Sequence, residues 1–173
     1  MIKKAKITVR SSQNITLPLT GGEEDLQELP LFSQPAVTEV ESEGELIYEG
    51  GVFRIEYPES EATGLENCVT SVSFTRGEPG RVTVYRSGPV KTALMFCGGE
   101  RYISVYDTGY GSFEVGIYTE SCENGIDFDG GVLSVVYTVE IRGSETEHTE
   151  LELKVRITDE ENGHPTDTQG RRL

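Results

Sequence analysis

One stretch of the sequence decides the fold, namely Leu133-Ser134-Val135-Val136-Tyr137-Thr138-Val139-Glu140-Ile141. Its apolar residues recur at every second position, and successive side chains of a β-strand point to opposite faces of the sheet. The same pattern, with charged residues on the other face, returns in Leu151-Glu152-Leu153-Lys154-Val155-Arg156-Ile157. This alternation predicts long antiparallel strands with one face on a core and the other in water.

Similar alternating runs recur along most of the chain and predict an all-β protein. The runs correspond to about eight to ten strands, near residues 4–12, 36–48, 52–58, 67–76, 81–87, 91–97, 101–107, 112–120, 132–142 and 148–157. Glycine-containing turns separate them, and these connections are too short for crossover helices, so we expect an antiparallel meander. Closure into a barrel would remove both edges of such a sheet, whereas a β-sandwich is the alternative that alternation leaves open.

Two segments interrupt the strand pattern. Residues 13–35 follow the first strand as an insertion rich in glycine, proline and acidic residues, with one candidate short helix at residues 23–29. This insertion is either a surface loop or a lid over the barrel mouth, and the side chains that would form the lid are Leu26, Leu29, Leu31 and Phe32. Residues 158–173 form a polar C-terminal tail, so we expect a single domain over residues 1–157.

The charge of the chain limits its partners. Acidic residues number 30 and basic residues 15, for a formal net charge of −15. A field of this sign repels nucleic acid and anionic membrane surfaces. The longest apolar runs are about five residues, against the ~20 that span a bilayer. The first residues lack the apolar stretch of a signal peptide, and three widely spaced cysteines suit reduced thiols, so we expect a cytoplasmic protein.

The order and spacing of several motifs resemble the YwiB-like family of small bacterial calycin-like, or lipocalin-like, β-barrel proteins of unknown function. The stretches that carry the resemblance are Leu46-Ile47-Tyr48-Glu49-Gly50, Val82-Thr83-Val84-Tyr85-Arg86-Ser87-Gly88, Met95-Phe96 before Gly98-Gly99, Tyr106-Asp107-Thr108-Gly109-Tyr110-Gly111 and Gly131-Val132-Leu133-Ser134-Val135-Val136-Tyr137. The resemblance covers residues 36–157, and both the 13–35 insertion and the tail are additional to it. It implies a lipocalin-like barrel and no established activity.

Arg86 is the candidate ligand-binding residue. If Val82 and Val84 face the lumen, alternation turns Arg86 inward as well, near the end of its strand. A buried guanidinium needs a partner. The partner is either a ligand carboxylate or phosphate, held bidentately, or an acidic side chain, a carbonyl or an aromatic face that closes one barrel end.

Tyrosines form a second set of candidates. Tyr137 shares a face with Leu133 and Val135, so its hydroxyl either orients a ligand or bonds to the backbone as in an ordinary core tyrosine. If Ile103, Val105 and Val84 face inward, alternation places Tyr85, Tyr102 and Tyr106 outside. Such an outer patch is either a contact surface or cross-strand packing.

The sequence shows no catalytic or metal-binding signature. Its two histidines stand alone, and Asp127-Phe128-Asp129-Gly130-Gly131 lacks the further ligands of a calcium loop. We therefore expect no cofactor and a non-enzymatic protein, either monomer or homodimer. The leading hypothesis is a barrel that binds a small, partly apolar or anionic ligand. The alternative is a protein-interaction or scaffold barrel with a filled core and no ligand.

Overall fold

The chain forms a closed barrel of antiparallel strands. This computed structural model describes residues 1–15, 35–141 and 144–158, without the side chains of residues 144–146. The strands are β1 (Ile2–Ile15), β2 (Ala36–Glu49), β3 (Val52–Pro58), β4 (Val69–Thr75), β5 (Glu78–Ser87), β6 (Lys91–Cys97), β7 (Arg101–Asp107), β8 (Ser112–Asn124), β9 (Gly130–Ile141) and β10 (Ser144–Ile157). Consecutive strands pair, and β1 pairs with β10 to close the ring. The predicted antiparallel barrel is confirmed, and the sandwich alternative is wrong.

The observed strands match the predicted positions closely. The largest differences are in β1, which extends to Ile15, in β8, which extends to Asn124, and in β10, which begins at Ser144. The first residues of the predicted 13–35 insertion therefore belong to β1. Residues 16–34 of that insertion, including the suggested lid residues Leu26, Leu29, Leu31 and Phe32, lie outside the described residues, as do tail residues 159–173.

Aromatic side chains fill one end of the barrel. The ring of Phe53 lies 4.6 Å from Tyr48, 5.2 Å from Phe74 and 5.0 Å from Phe128, measured between centroids. Phe128 comes from the connection between β8 and β9, and the guanidinium of Arg76 lies 5.3 Å from the centre of its ring. Rings at these separations contribute favourable free energy in addition to that gained by burying their surface. This end of the barrel is therefore filled with side chains.

The opposite end of the barrel carries polar side chains and opens to a cavity. The connections from β3 to β4 and from β5 to β6 lie at this end, which we call the mouth. The first of them contains a short 3-10 turn, Glu61–Thr63, that ends on Gly64 in the left-handed conformation. Ile15 and Ala36, the described residues that end β1 and begin β2, also lie at the mouth.

Strand β7 faces the other way from the sequence-based prediction. Ile103 and Val105 are 51% and 57% exposed, whereas Tyr106 packs against the core. The register with β8 explains this, because Ser104 lies opposite the buried Val115, and directly opposed residues share a face. Both faces of β7 carry good strand formers, so alternation alone cannot tell which is buried.

The other two tyrosines of the predicted outer set differ from Tyr106. Tyr85 is 50% exposed, as alternation predicts. Tyr102 is half-buried, and its hydroxyl accepts a hydrogen bond of 3.1 Å from Nη1 of Arg81. The expected outer tyrosine patch is therefore reduced to its β5 member.

Within the described residues, no three His, Cys, Asp or Glu side chains come together as a metal site. The same part of the chain contains no helix long and apolar enough to cross a membrane. The three cysteines are free thiols, of which Cys68 is buried and Cys97 and Cys122 are half-buried.

Candidate functional site

The half of the lumen next to the mouth holds a cavity of about 510 Å³. Ligand sites of small molecules have volumes of roughly 300–1,000 Å³. Most of its wall is apolar and comes from Val9, Val40, Val72, Val84, Leu94, Phe96, Val115, Ile117, Leu133, Val135, Val139, Leu151 and Leu153. The interior of a barrel widens with the number of strands, and the valine side chains of this half are too small to fill it, whereas the aromatic rings fill the opposite end. The core is therefore not completely filled.

Arg86 lies in this cavity, close to the mouth. Val82 and Val84 of the same strand are buried, so the alternation of β5 turns Arg86 inward as predicted. Its neighbours across the sheet are Thr70 on β4 and Thr92 on β6, and both are buried. The Arg86 side chain is only 22% exposed, so its charge is largely removed from water.

Glu59 compensates the charge of Arg86 without satisfying its hydrogen bonds. The Glu59 side chain is 5% exposed, and its Oε1 lies 3.9 Å from Nε of Arg86, which is too long for a hydrogen bond. Thr70 donates to Glu59 Oε1 at 2.5 Å and Thr63 donates to Oε2 at 3.0 Å. The buried Arg86 Nε thus has a charged neighbour but no hydrogen-bond partner among the described residues.

Two tyrosine hydroxyls lie near Arg86. Burial raises the pKa of Tyr137, and the nearby charge of Arg86 lowers it while Glu147 raises it. Burial also raises the pKa of Tyr57, with a further increase from Glu59 and an opposing effect of Arg86. The ring of Tyr137 on β9 packs against Phe96 of β6, with 4.8 Å between the ring centroids. Both hydroxyls therefore stay protonated at neutral pH, and each has a threonine as a hydrogen-bonding neighbour, Thr149 for Tyr137 and Thr70 for Tyr57.

Alkaline pH is expected to destabilise the wild type more than the Tyr57→Phe variant. The folded-state pKa of Tyr57 lies above the unfolded value. The contribution of the neutral Tyr57 to the free energy of unfolding is therefore complete below about pH 10, and it declines as the pH rises towards the folded-state pKa. Between about pH 8 and pH 11 the difference should reach roughly 1 kcal/mol, measured by urea unfolding. The control is Tyr110→Phe, because Tyr110 is fully exposed. Equal losses in the wild type and Tyr57→Phe would contradict this prediction.

Glu147 is a cavity residue that the sequence analysis did not select. It lies on β10, next to an irregularity of the pairing with β9 between Glu145 and Glu147, and it lines the cavity. Gln13 donates to its Oε1 at 3.1 Å and Thr149 donates to the same atom at 2.7 Å. Glu147 is in phase with Leu151 and Leu153, two inward residues of the same strand. The alternation that turned Arg86 inward therefore also predicts an inward position for Glu147.

Glu59 is the other acidic residue that the sequence analysis did not select. It follows directly after β3, in phase with the buried Ile55 and Tyr57, and its N–H donates to the carbonyl oxygen of Cys68 at 2.9 Å, so the alternation of β3 turns it inward. Extending the predicted strand by one residue past Pro58 would have marked it as inward.

Comparisons with known proteins agree on the family and the fold. The domain of unknown function DUF1934 matches residues 33–153. The uncharacterised β-barrel protein YwiB of Bacillus subtilis is 31% identical over 94 residues, which are 54% of this chain and 62% of that protein. The crystal structure of the B. subtilis ywiB protein superposes with a TM-score of 0.71 over 91% of this chain and 94% of that one, at 20% identity. At this identity the structural likeness concerns the fold alone.

Proposed function

We propose that this chain, which belongs to the DUF1934 family of domains of unknown function, binds a small, partly apolar anion in its cavity without catalysis. The resemblance to the YwiB-like family that the sequence predicted is confirmed. In this proposal the anionic group of the ligand binds Arg86 near the mouth. The apolar part lies against the valine and leucine wall below it.

One observation carries the proposal: Arg86 lines a cavity of about 510 Å³, and its buried Nε lacks a hydrogen bond among the described residues. A buried donor without a partner costs about 1–3 kcal/mol, and more when it belongs to a charged group. Carboxylate and phosphate oxygens match the fork of a guanidinium. An anion bound to the guanidinium of Arg86 would supply charge-assisted hydrogen bonds that Glu59 does not provide at 3.9 Å.

Tyr137 supports the same ligand class. Its hydroxyl is a donor at neutral pH, and the charge of Arg86 acts on it. We propose that Tyr137 donates a second hydrogen bond to the anionic group and so orients it. The alternative, a scaffold barrel with a filled core, is disfavoured by the cavity.

Arg86→Met is expected to weaken the binding of octanoate at least tenfold, because charge-assisted hydrogen bonds contribute about 1.5–3 kcal/mol. Octanoate combines a carboxylate with an apolar chain, and isothermal titration calorimetry would report both affinity and stoichiometry. Methionine keeps an unbranched apolar stem in place of the aliphatic part of arginine while removing the charge and the donors.

Arg156→Met is the matched control, because Arg156 is an exposed residue of β10. It should leave octanoate binding as in the wild type. The proposal is wrong if the wild type binds no octanoate, or if a folded Arg86→Met variant binds it equally well. Native mass spectrometry of the purified protein would identify any ligand that the chain already carries.

A further inference from the structure

We propose that the ligand of this cavity also carries a cationic amine, which binds Glu147, so that the ligand class is an amphipathic zwitterion with an apolar tail. This inference rests on the proposed function, because it extends the ligand that Arg86 would bind. It concerns a different wall of the same cavity and is tested separately.

Glu147 has an oxygen atom that is not used. Gln13 and Thr149 both donate to Oε1, whereas Oε2 accepts no hydrogen bond from any residue that the structure describes. None of the ion pairs formed within the described residues involves Glu147. The two donors hold the carboxylate in place and leave its second oxygen available to a donor from the cavity.

The charge of the cavity wall favours a zwitterion over a simple anion. The charged side chains of the described lining are the carboxylates of Glu59 and Glu147 and the guanidinium of Arg86. An anion alone would add a second uncompensated negative charge to a lumen in which charges are poorly screened. An ammonium group on the same ligand offsets that charge and gives the Glu147 carboxylate a cation.

Tyr137 connects the two ends of this polar region. Its pKa responds to both Arg86 and Glu147, so its hydroxyl lies within electrostatic reach of each, and Thr149 is a hydrogen-bonding neighbour of both Tyr137 and Glu147. Arg86 on β5 and Glu147 on β10 belong to separate walls of the barrel. A ligand head with an anionic and a cationic group can therefore bind both across Tyr137.

The amine belongs next to the anionic group and not at the far end of the tail. Beyond the polar rim, the cavity wall consists of the aliphatic side chains named above and the ring of Phe96. An ammonium group placed there would be desolvated without a partner.

Four probes of similar length test this inference in the full chain: octanoate, octylammonium, 2-aminooctanoate and 8-aminooctanoate. Isothermal titration calorimetry on the wild type should give at least about tenfold tighter binding for 2-aminooctanoate than for octanoate. 8-Aminooctanoate should bind more weakly than octanoate, because its amine enters the apolar half.

Glu147→Gln should change the two affinities in opposite directions. The affinity for 2-aminooctanoate should fall at least about tenfold, because the amine loses its partner. The affinity for octanoate should rise a few-fold, because a like charge is removed from the cavity wall. Glu120→Gln is the matched control, because Glu120 lies on the outside, 3.4 Å from His148. Thermal unfolding of both variants verifies that they are folded.

The outcomes separate the two proposals. Suppose that octanoate binds in a way that depends on Arg86. If 2-aminooctanoate then binds no more tightly than octanoate, or still binds more tightly in the Glu147→Gln variant, the zwitterion proposal is wrong and the anion proposal is retained. Tighter binding of octylammonium than of 2-aminooctanoate would also overturn the zwitterion. If octanoate does not bind, or binds without need of Arg86, the proposed function itself fails.

Discussion

Replacing Gly131 with alanine is expected to lower the free energy of unfolding by about 3 kcal/mol or more. Gly131 is the second residue of β9 and has φ +138°, and a Cβ there would lie 2.3 Å from the carbonyl oxygen of Gly125 and 2.9 Å from its carbon. Both atoms belong to the backbone, so no side chain can move aside. For a chain of this size the melting temperature should fall by roughly 6–12 °C.

Gly77→Ala is the matched control for this substitution. Gly77 lies in the turn between β4 and β5, and a Cβ at that position has no heavy atom within 4 Å. Its stability should stay within about 0.5 kcal/mol of the wild type. If urea unfolding gives similar losses for the two variants, the close contact at Gly131 does not determine stability.

Replacing Glu59 with alanine is expected to cost about 3 kcal/mol, at the low end of the range for a broken buried pair. Arg86 is 22% exposed, which reduces the penalty, but it would lose its compensating charge. The hydroxyls of Thr70 and Thr63 would lose their acceptor as well. The same variant should bind octanoate more tightly than the wild type, because the ligand no longer competes with a fixed carboxylate.

A double-mutant cycle with Arg86→Met isolates the pair. The double variant should be more stable than Glu59→Ala alone, since it no longer buries an uncompensated cation, and the coupling energy should exceed about 1 kcal/mol. Urea unfolding with and without octanoate measures both effects, because a ligand that binds only the folded state stabilises it. A loss below about 0.5 kcal/mol for Glu59→Ala would mean that the pair has no energetic role.

The candidate site was predictable from the sequence only in part. Arg86 and Tyr137 were selected because alternation assigned both to the inner face, and both line the cavity. Alternation along β10 would also have selected Glu147, if an inward charged residue is taken as the sign of a ligand-binding position. Glu59 also lies in phase with the buried Ile55 and Tyr57, one residue beyond β3, but its pairing with Arg86 of β5 depends on how separate strands pack.

Strand β7 shows where the rule of alternation stops. Its two faces, Ile103 with Val105 and Ser104 with Tyr106, are both compatible with a strand. The face that turned inward was set by the pairing with Val115 and Phe113 of β8. Register between strands is a property of pairs, so a single strand cannot reveal it.

By itself the sequence determined the approximate bounds of the strands, their antiparallel order and the inward position of Arg86 and Tyr137, because side chains alternate with a local period of two. Only the tertiary structure decided three further features: the closure of the ring between β1 and β10, the open half of the lumen and the pairing of Glu59 with Arg86. Each of these depends on the distance between residues far apart in the chain. That distance is set by how many strands close the barrel and how large the side chains inside it are.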